Sequence, residues 1–194
     1  MERWLKERQD KVWCGKKVLD LERRWGSKKT QEVKRRVSSL VVGKSVLDVG
    51  CGTGDLFRHL KGVEYLGVDQ SPDMLERARA RNPKAKFIQR NLYQMEDLPK
   101  FDTVTCLAVL HHQPDIEPGL SILLDHAEKR LIFSIWINDR DRHYPRQSKG
   151  GKGEFITWYT TKGLAERLKG FKFKVHKSVS YVWKDIYCVD MGSK

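Results

Sequence analysis

The stretch Val46-Leu47-Asp48-Val49-Gly50-Cys51-Gly52-Thr53-Gly54 constrains the fold more than any other part of this chain. Its apolar run reads as a buried strand, and the strand stops at glycines that alternate with other residues. Glycine permits positive φ and lets a ligand approach the backbone. Asp55-Leu56-Phe57-Arg58-His59-Leu60 follows with helical apolar spacing, which predicts a helix over 54–61. Strand, glycine loop and helix in that order is how an α/β sheet holds a nucleotide-like ligand. The spacing narrows the ligand. A dinucleotide fingerprint needs G-x-G-x-x-G, and the third glycine position is Asp55 here. The Gly-Lys-Ser/Thr of a phosphate-binding loop does not follow. G-x-G-x-G, with an acid two places before the first glycine, suits a ligand without a pyrophosphate.

The next element arrives on schedule. Tyr65-Leu66-Gly67-Val68 reads as a second short strand ending in Asp69, about 20 residues beyond the glycine loop, where such sheets carry an acid for the ribose hydroxyls. An ionised carboxylate offers only acceptors, which is what two hydroxyl donors require. Ser71 then reads as a helix N-cap with Pro72 in the first turn.

The segments VLDVGCGTGDLFRHL, YLGVDQSPDMLERARAR, RNLYQMEDLPKFDTVTCLAVLHHQPD and RLIFSIWI occur in order between residue 45 and about residue 137. Together they resemble the successive motifs of class I S-adenosylmethionine (SAM) methyltransferases, in the type 11, quinone methyltransferase-like group. Trp158-Tyr159 and Trp183-Lys184-Asp185-Ile186-Tyr187 are loosely similar to the C-terminal strands of the wobble-uridine tRNA methyltransferases. The resemblance implies a Rossmann-like α/β fold. Its sheet is seven-stranded and mostly parallel, in the order 3-2-1-4-5-7-6, with strand seven antiparallel and helices on both faces. It also implies SAM as cofactor, with S-adenosylhomocysteine (SAH) as product. Asp48 and the loop Gly50, Cys51, Gly52 and Gly54 would hold the amino-acid part of the cofactor. Asp69, with Gln70 beside it, would hold the ribose, Asn91 and Leu92 the adenine, and Leu107 and Ala108 would lie beneath the methionine portion.

The pass along the chain supports one domain over 1–194 in three parts: basic helices over 1–44, the cofactor-binding core over 45–137, and a basic loop with C-terminal strands over 138–194. Helical spacing covers 1–24, interrupted near Gly15, and again 28–41. Strands are expected near 45–49, 64–68, 85–89, 101–107 and 130–136, with helices over 72–81 and 117–128. Residues 138–153 are polar, basic and glycine-rich and read as a mobile loop. A short helix over 161–168 with Thr160 or Thr161 as N-cap precedes two β segments, 171–181 and 184–191, joined by a tight turn.

The net charge of +13 is unevenly spread: residues 1–44 carry +8, residues 45–139 carry −3 and residues 140–194 carry +8. Unbalanced basic flanks attract polyanions. RNA is therefore the expected partner and tRNA the first acceptor to consider. The alternatives are a small-molecule (quinone or metabolite) methyltransferase, a non-catalytic binding module, and a protein methyltransferase acting on an acidic partner. An apolar lid of the kind metabolite enzymes use is not visible in the sequence. Trp136, Arg140, Arg142, Tyr144 and Arg146 are the candidate acceptor-binding residues, since arginines interleaved with aromatics grip phosphate and stack on bases. Taken singly, Trp136 and Trp158 could equally be core.

His111 and His112 follow the fourth strand and are the candidate catalytic pair. Each could serve as general base or simply pack and fix the loop. The scattered Cys14, Cys51, Cys106 and Cys188 read as reduced thiols, with Cys106 in the core. No metal site is expected. The lack of a long apolar run or leader pattern points to a cytoplasmic protein without a membrane partner. A small activating protein subunit is compatible with the family resemblance.

Overall fold

The computed structural model describes residues 13–113, 115–137, 142–147, 153–180 and 183–192, with the backbone alone at 17, 24, 25, 142–147, 153–155, 177–180, 183 and 184. The elements run α1 (Lys16–Trp25), α2 (Lys28–Leu40), β1 (Ser45–Val49), β2 (Glu64–Asp69), α3 (Pro72–Arg81), β3 (Lys86–Gln89), β4 (Phe101–Cys106), α4 (Glu117–His126) and β5 (Ala127–Ile135). There follow β6 (Arg142–Gln147), β7 (Gly153–Trp158), α5 (Thr161–Arg167), β8 (Lys172–Ser180) and β9 (Trp183–Asp190).

Seven strands form one sheet in the order β3-β2-β1-β4-β5-β9-β8. β1 to β5 pair in parallel, and β9 runs antiparallel to both β5 and β8. Counted within this sheet alone, that is the expected 3-2-1-4-5-7-6. The central strands read as continuous apolar runs because both faces are covered. Val46, Leu47, Val104, Leu131, Ile132 and Phe133 are all fully buried. The strand order reverses between β1 and β4, and such a switch point leaves a crevice at the carboxyl ends, where an open α/β sheet binds ligands.

Two devices fix the sheet's lower edge. Asp102 Oδ2 accepts the Lys44 and Ser45 amides at 2.6 and 3.2 Å, and its Oδ1 pairs with Lys129 Nζ at 2.6 Å. Thr103 Oγ1 accepts from Val42 N at 3.0 Å and donates to Val42 O at 2.6 Å. Together they tie the entry of β1 to β4. Ser71 Oγ accepts from Met74 N and caps α3, with Pro72 in the first turn as expected, and Thr160 Oγ1 caps α5 by accepting from Gly163 N.

Two expectations change. The helix over 54–61 is only a single 3-10 turn, Phe57–His59. Gly52, Gly54 and Gly62 all hold positive φ. Gly54 and Gly62 thus turn the backbone out of the helical region on either side of the segment. The segment 138–153, read as a mobile loop, contains β6, which pairs antiparallel with β7 from Arg142↔Trp158 to Gln147↔Gly153. Alternation in His143-Tyr144-Pro145 was hidden by the basic composition around it. Residues 1–12 and the turn at 181–182 lie outside the described residues. Among the described residues, no helix is long and apolar enough to cross a membrane.

Candidate functional site

The glycine loop turns back under β2: Gly50 N and Cys51 N both donate to Val68 O, at 2.7 and 3.0 Å. Gly50 requires its lack of a side chain. It sits at φ +70°, and a Cβ would lie 2.1 Å from Val109 Cγ2. The end of β4 therefore closes directly on the loop. Just before Val109, Ala108 takes φ +60°, the one left-handed non-glycine residue among the described residues. Its N–H donates to Ser134 Oγ at 2.8 Å. Such backbone strain persists where the surroundings over-determine it, and it gathers at functional sites.

Asp69 ends β2 half-buried. Its Oδ2 accepts Gly52 N–H at 2.8 Å and its Oδ1 accepts Ser71 N–H at 2.9 Å. Each oxygen keeps a further lone pair for a hydroxyl donor. Burial pushes this carboxyl's pKa up, while the Ser71 and Gly52 amides pull it down. Asp48 is buried on β1, with Thr105 Oγ1 donating to Oδ1 at 2.7 Å and Tyr65 Oη to Oδ2 at 2.8 Å. Burial raises its pKa too, against the Thr105 and Tyr65 hydrogen bonds and the Lys34 charge.

A narrow cleft is lined by Lys34, Asp48, Gly50, Cys51, Asp55, Leu56 and Leu107. Three of these, Lys34, Asp55 and Leu56, were not among the expected site residues. Lys34, one of the cations of the basic 1–44 flank, is 4% exposed. Its Nζ lies 3.0 Å from Asp55 Oδ2. Burial lowers its pKa and the Asp55 carboxylate raises it. Asp55 also receives Arg81 at 2.7 Å, and Glu22 of α1 binds Arg81 and Arg77. An ionic chain, buried at Lys34 and Asp55 and partly exposed at Arg81, Glu22 and Arg77, thus links both N-terminal helices to the glycine loop. The one sequence signal for it was Lys34 on the same helical face as Thr30, Val33 and Val37, all buried. Arg35 pairs with Glu32 on the surface, and Arg36 Nη2 lies 3.5 Å from His176 Nδ1.

Asn91 is engaged within the protein. Its Nδ2 donates to Gln70 Oε1 at 2.9 Å and its Oδ1 accepts Tyr93 N–H at 3.1 Å. Tyr93 Oη donates to Gln113 Oε1, and Gln113 O accepts Thr157 Oγ1 at 2.7 Å. Gln70, Asn91 and Gln113 thereby connect the end of β2 to the β6–β7 hairpin. Leu92 turns its side chain into the core against Gly119 of α4.

The histidines stand on the 3-10 turn Leu110–His112 after β4. His111 is buried, and its pKa is held well below the ordinary value by burial and then by His112. Its ring stacks on Trp136 with centroids 5.0 Å apart and lies 4.2 Å from the His112 ring. Trp136 continues to Trp158 at 5.7 Å, and His112 meets Trp13 edge-on at 5.0 Å. These rings together form an aromatic wall at the turn that follows β4. Of the candidate acceptor residues, Trp136 belongs to this wall. Arg140 lies outside the described residues, as do the side chains of Arg142, Tyr144 and Arg146. Cys106 and Cys51 are buried thiols whose pKa burial pushes up, which disfavours the thiolate.

Residues 46–128 match the family described as "Methyltransferase domain". A ubiquinone biosynthesis O-methyltransferase of Alkalilimnicola ehrlichii is 38% identical over 98 residues, which are 46% of this chain and 38% of that protein. A trans-aconitate 2-methyltransferase of Rhodopseudomonas palustris is 28% identical over 131 residues, 66% of this chain and 50% of that protein. The chain thus matches half or less of the length of these curated relatives. Among solved structures, magnesium protoporphyrin IX methyltransferase from Synechocystis, with bound SAM, superposes with a TM-score of 0.77 at 21% identity, covering 96% of both chains. That likeness is one of fold. Residues 46–128 are thus similar to methyltransferase domains, and the sheet has the class I, Rossmann-like fold.

Proposed function

We propose that this protein is a SAM-dependent methyltransferase whose acceptor is a small molecule. The observation that carries the reading is the 2.8 Å bond from Gly52 N–H to Asp69 Oδ2. It joins the two ligand-holding motifs at the carboxyl ends of β1 and β2, within reach of the strained end of β4. The residues fit SAM. Gly50 leaves the backbone bare, Asp69 offers acceptors for two ribose hydroxyls, and Leu107 supplies an apolar wall.

Bound there, SAM supplies a methyl group on a positively charged sulfur, already activated for transfer. The chain's task is then to align an acceptor and exclude water, which is catalysis by proximity. Val109 packed on Gly50 fixes the cleft wall. The aromatic wall from Trp13 to Trp158 provides the apolar side that a small acceptor needs. The relatives named above carry names of small-molecule methyltransferases, and none is described as acting on RNA.

The charge map favours a second reading, with tRNA as acceptor, since each flank carries +8. The two readings separate in one experiment. The chain is incubated with methyl-labelled SAM and either a total metabolite extract or total tRNA. The small-molecule reading expects label in low-mass products. Label held in nuclease-sensitive RNA would transfer the assignment to the tRNA reading.

A further inference from the structure

We propose that the sheet edge formed by β8, with the flank of α2 beside it, is a binding face for the phosphate backbone of a single-stranded nucleic acid, and that Arg36, Lys172 and Lys174 are its phosphate-holding cations. The inference concerns binding and is separate from the acceptor assignment above.

The two basic flanks of the sequence, +8 each and separated by a slightly acidic core, come together here. α2 belongs to the first flank and β8 to the second, and the fold packs one against the other. Arg36 Nη2 lies 3.5 Å from His176 Nδ1. Register decides which side chains share the face. Lys172, Lys174 and His176 of β8 stand opposite Asp190, Cys188 and Ile186 of β9, and Asp190 and Cys188 stand opposite Arg130 and Ile132 of β5. Residues paired in this way point to the same side of a sheet. That side is the one α2 covers, since Val33 and Val37 pack with Ile132, Ile186 and Cys188. Lys172 and Lys174 are exposed there, as is Arg36 on the helix.

Acids do not balance these cations. α2 has one acidic residue, Glu32, which pairs with Arg35, and β8 has none. Asp190 is bound by Arg130. His176 feels the excess: its pKa is lowered by burial first and then by Arg36, Lys174 and Arg130. Successive side chains on one side of a strand are about 6.7 Å apart, so the row from Lys172 to His176 spans about 13 Å. A compact anion meets one end of such a row, whereas a polymer with a charge on every unit meets all of it. Cations of this kind hold phosphate and carry no sequence information. A nucleic acid fits better than a lipid surface, because a membrane-binding face joins its cations to exposed apolar side chains. Among the described residues the large exposed apolar side chains are Leu19 on α1 and Val175, and Val175 points to the other side of β8.

The test uses the full chain, a short fluorescent oligouridylate as probe and anisotropy as readout. Binding should weaken as salt rises, with a slope of log affinity against log salt of about −2, from three phosphate contacts at about −0.7 each on a single strand. Oligothymidylate should bind within threefold of oligouridylate, since phosphate is what is held. Arg36→Gln, Lys172→Gln and Lys174→Gln together should weaken binding at least tenfold and flatten the slope, with the circular dichroism spectrum unchanged. Lys174→Gln alone should weaken it two- to threefold. Lys84→Gln, Lys86→Gln and Lys100→Gln together remove the same charge from exposed positions away from this face and should weaken it less than threefold. Equal weakening in the two triple variants would reduce the effect to net charge and overturn the proposal. So would failure of the wild type to bind the oligonucleotide at low salt. Tighter binding to phosphatidylserine vesicles, lost in the first triple variant alone, would make the face a membrane contact and overturn it as well.

Discussion

Gly50→Ala probes the junction between the glycine loop and the end of β4. Two costs add. Gly50 holds φ +70°, and a left-handed backbone costs an L-residue about 1–2 kcal/mol. The new methyl would sit 2.1 Å from Val109 Cγ2, and overpacking a tight site costs about 1–3 kcal/mol. The variant should therefore lose about 2–5 kcal/mol, a large share of the 5–15 kcal/mol typical of a folded domain. Urea unfolding followed by circular dichroism measures the loss. A double-mutant cycle separates the two costs. Val109→Ala alone should cost about 1 kcal/mol, as deletions at half-buried sites do. Combined with Gly50→Ala, it removes the clash and leaves the backbone cost, so the pair should couple by about 1–3 kcal/mol. Strict additivity within about 0.5 kcal/mol would refute the claim that Val109 packs on the loop.

Lys34→Met leaves Asp55 buried with Arg81 as its remaining cation and should cost about 3 kcal/mol, the low end for a broken buried pair. A loss below about 1 kcal/mol in urea unfolding would return Lys34 to the surface. Asp102 has its pKa pulled below 3.8 by Lys129 first and the Lys44 amide next. Its stabilisation is present above the unfolded-state value and is lost as pH falls through the folded one. Acid unfolding of Asp102→Asn should accordingly lack that part of the wild-type slope, and parallel acid limbs would contradict the assignment. The His111 imidazole resonances should not titrate through the neutral range, whereas titration near the ordinary histidine value would show that the ring is not buried.

That the glycine loop and Asp69 lie together was legible because the signals are local. Gly50, Gly52, Gly54 and Asp69 sit at fixed offsets from two apolar strands, so spacing alone located them. The sheet order followed from the family resemblance, and the short elements 45–49, 72–81 and 161–168 from alternation and caps. What stayed hidden depends on contacts far apart in the chain. Lys34 read as one more surface cation until Asp55 and Arg81 closed on it, and only its place on a buried helical face hinted otherwise. The aromatic wall joins Trp13, His112, Trp136 and Trp158 across most of the sequence, and no periodicity links them. The helix expected over 54–61 failed because apolar spacing in Leu56 and Leu60 outweighed the glycines on either side. The strand β6 was masked by charge, which describes a surface and says nothing about backbone pairing.

The central claim is that the glycine loop and Asp69 together hold SAM, and titration calorimetry with SAH addresses it most directly. Wild type should bind one SAH per chain. Asp69→Ala should weaken that binding by about 1.5–3 kcal/mol, or roughly 10- to 150-fold, because a charge-assisted contact to the ribose is lost. Circular dichroism should show the variant folded. No SAH binding by the wild type, or an unchanged affinity in a folded Asp69→Ala, would contradict the account.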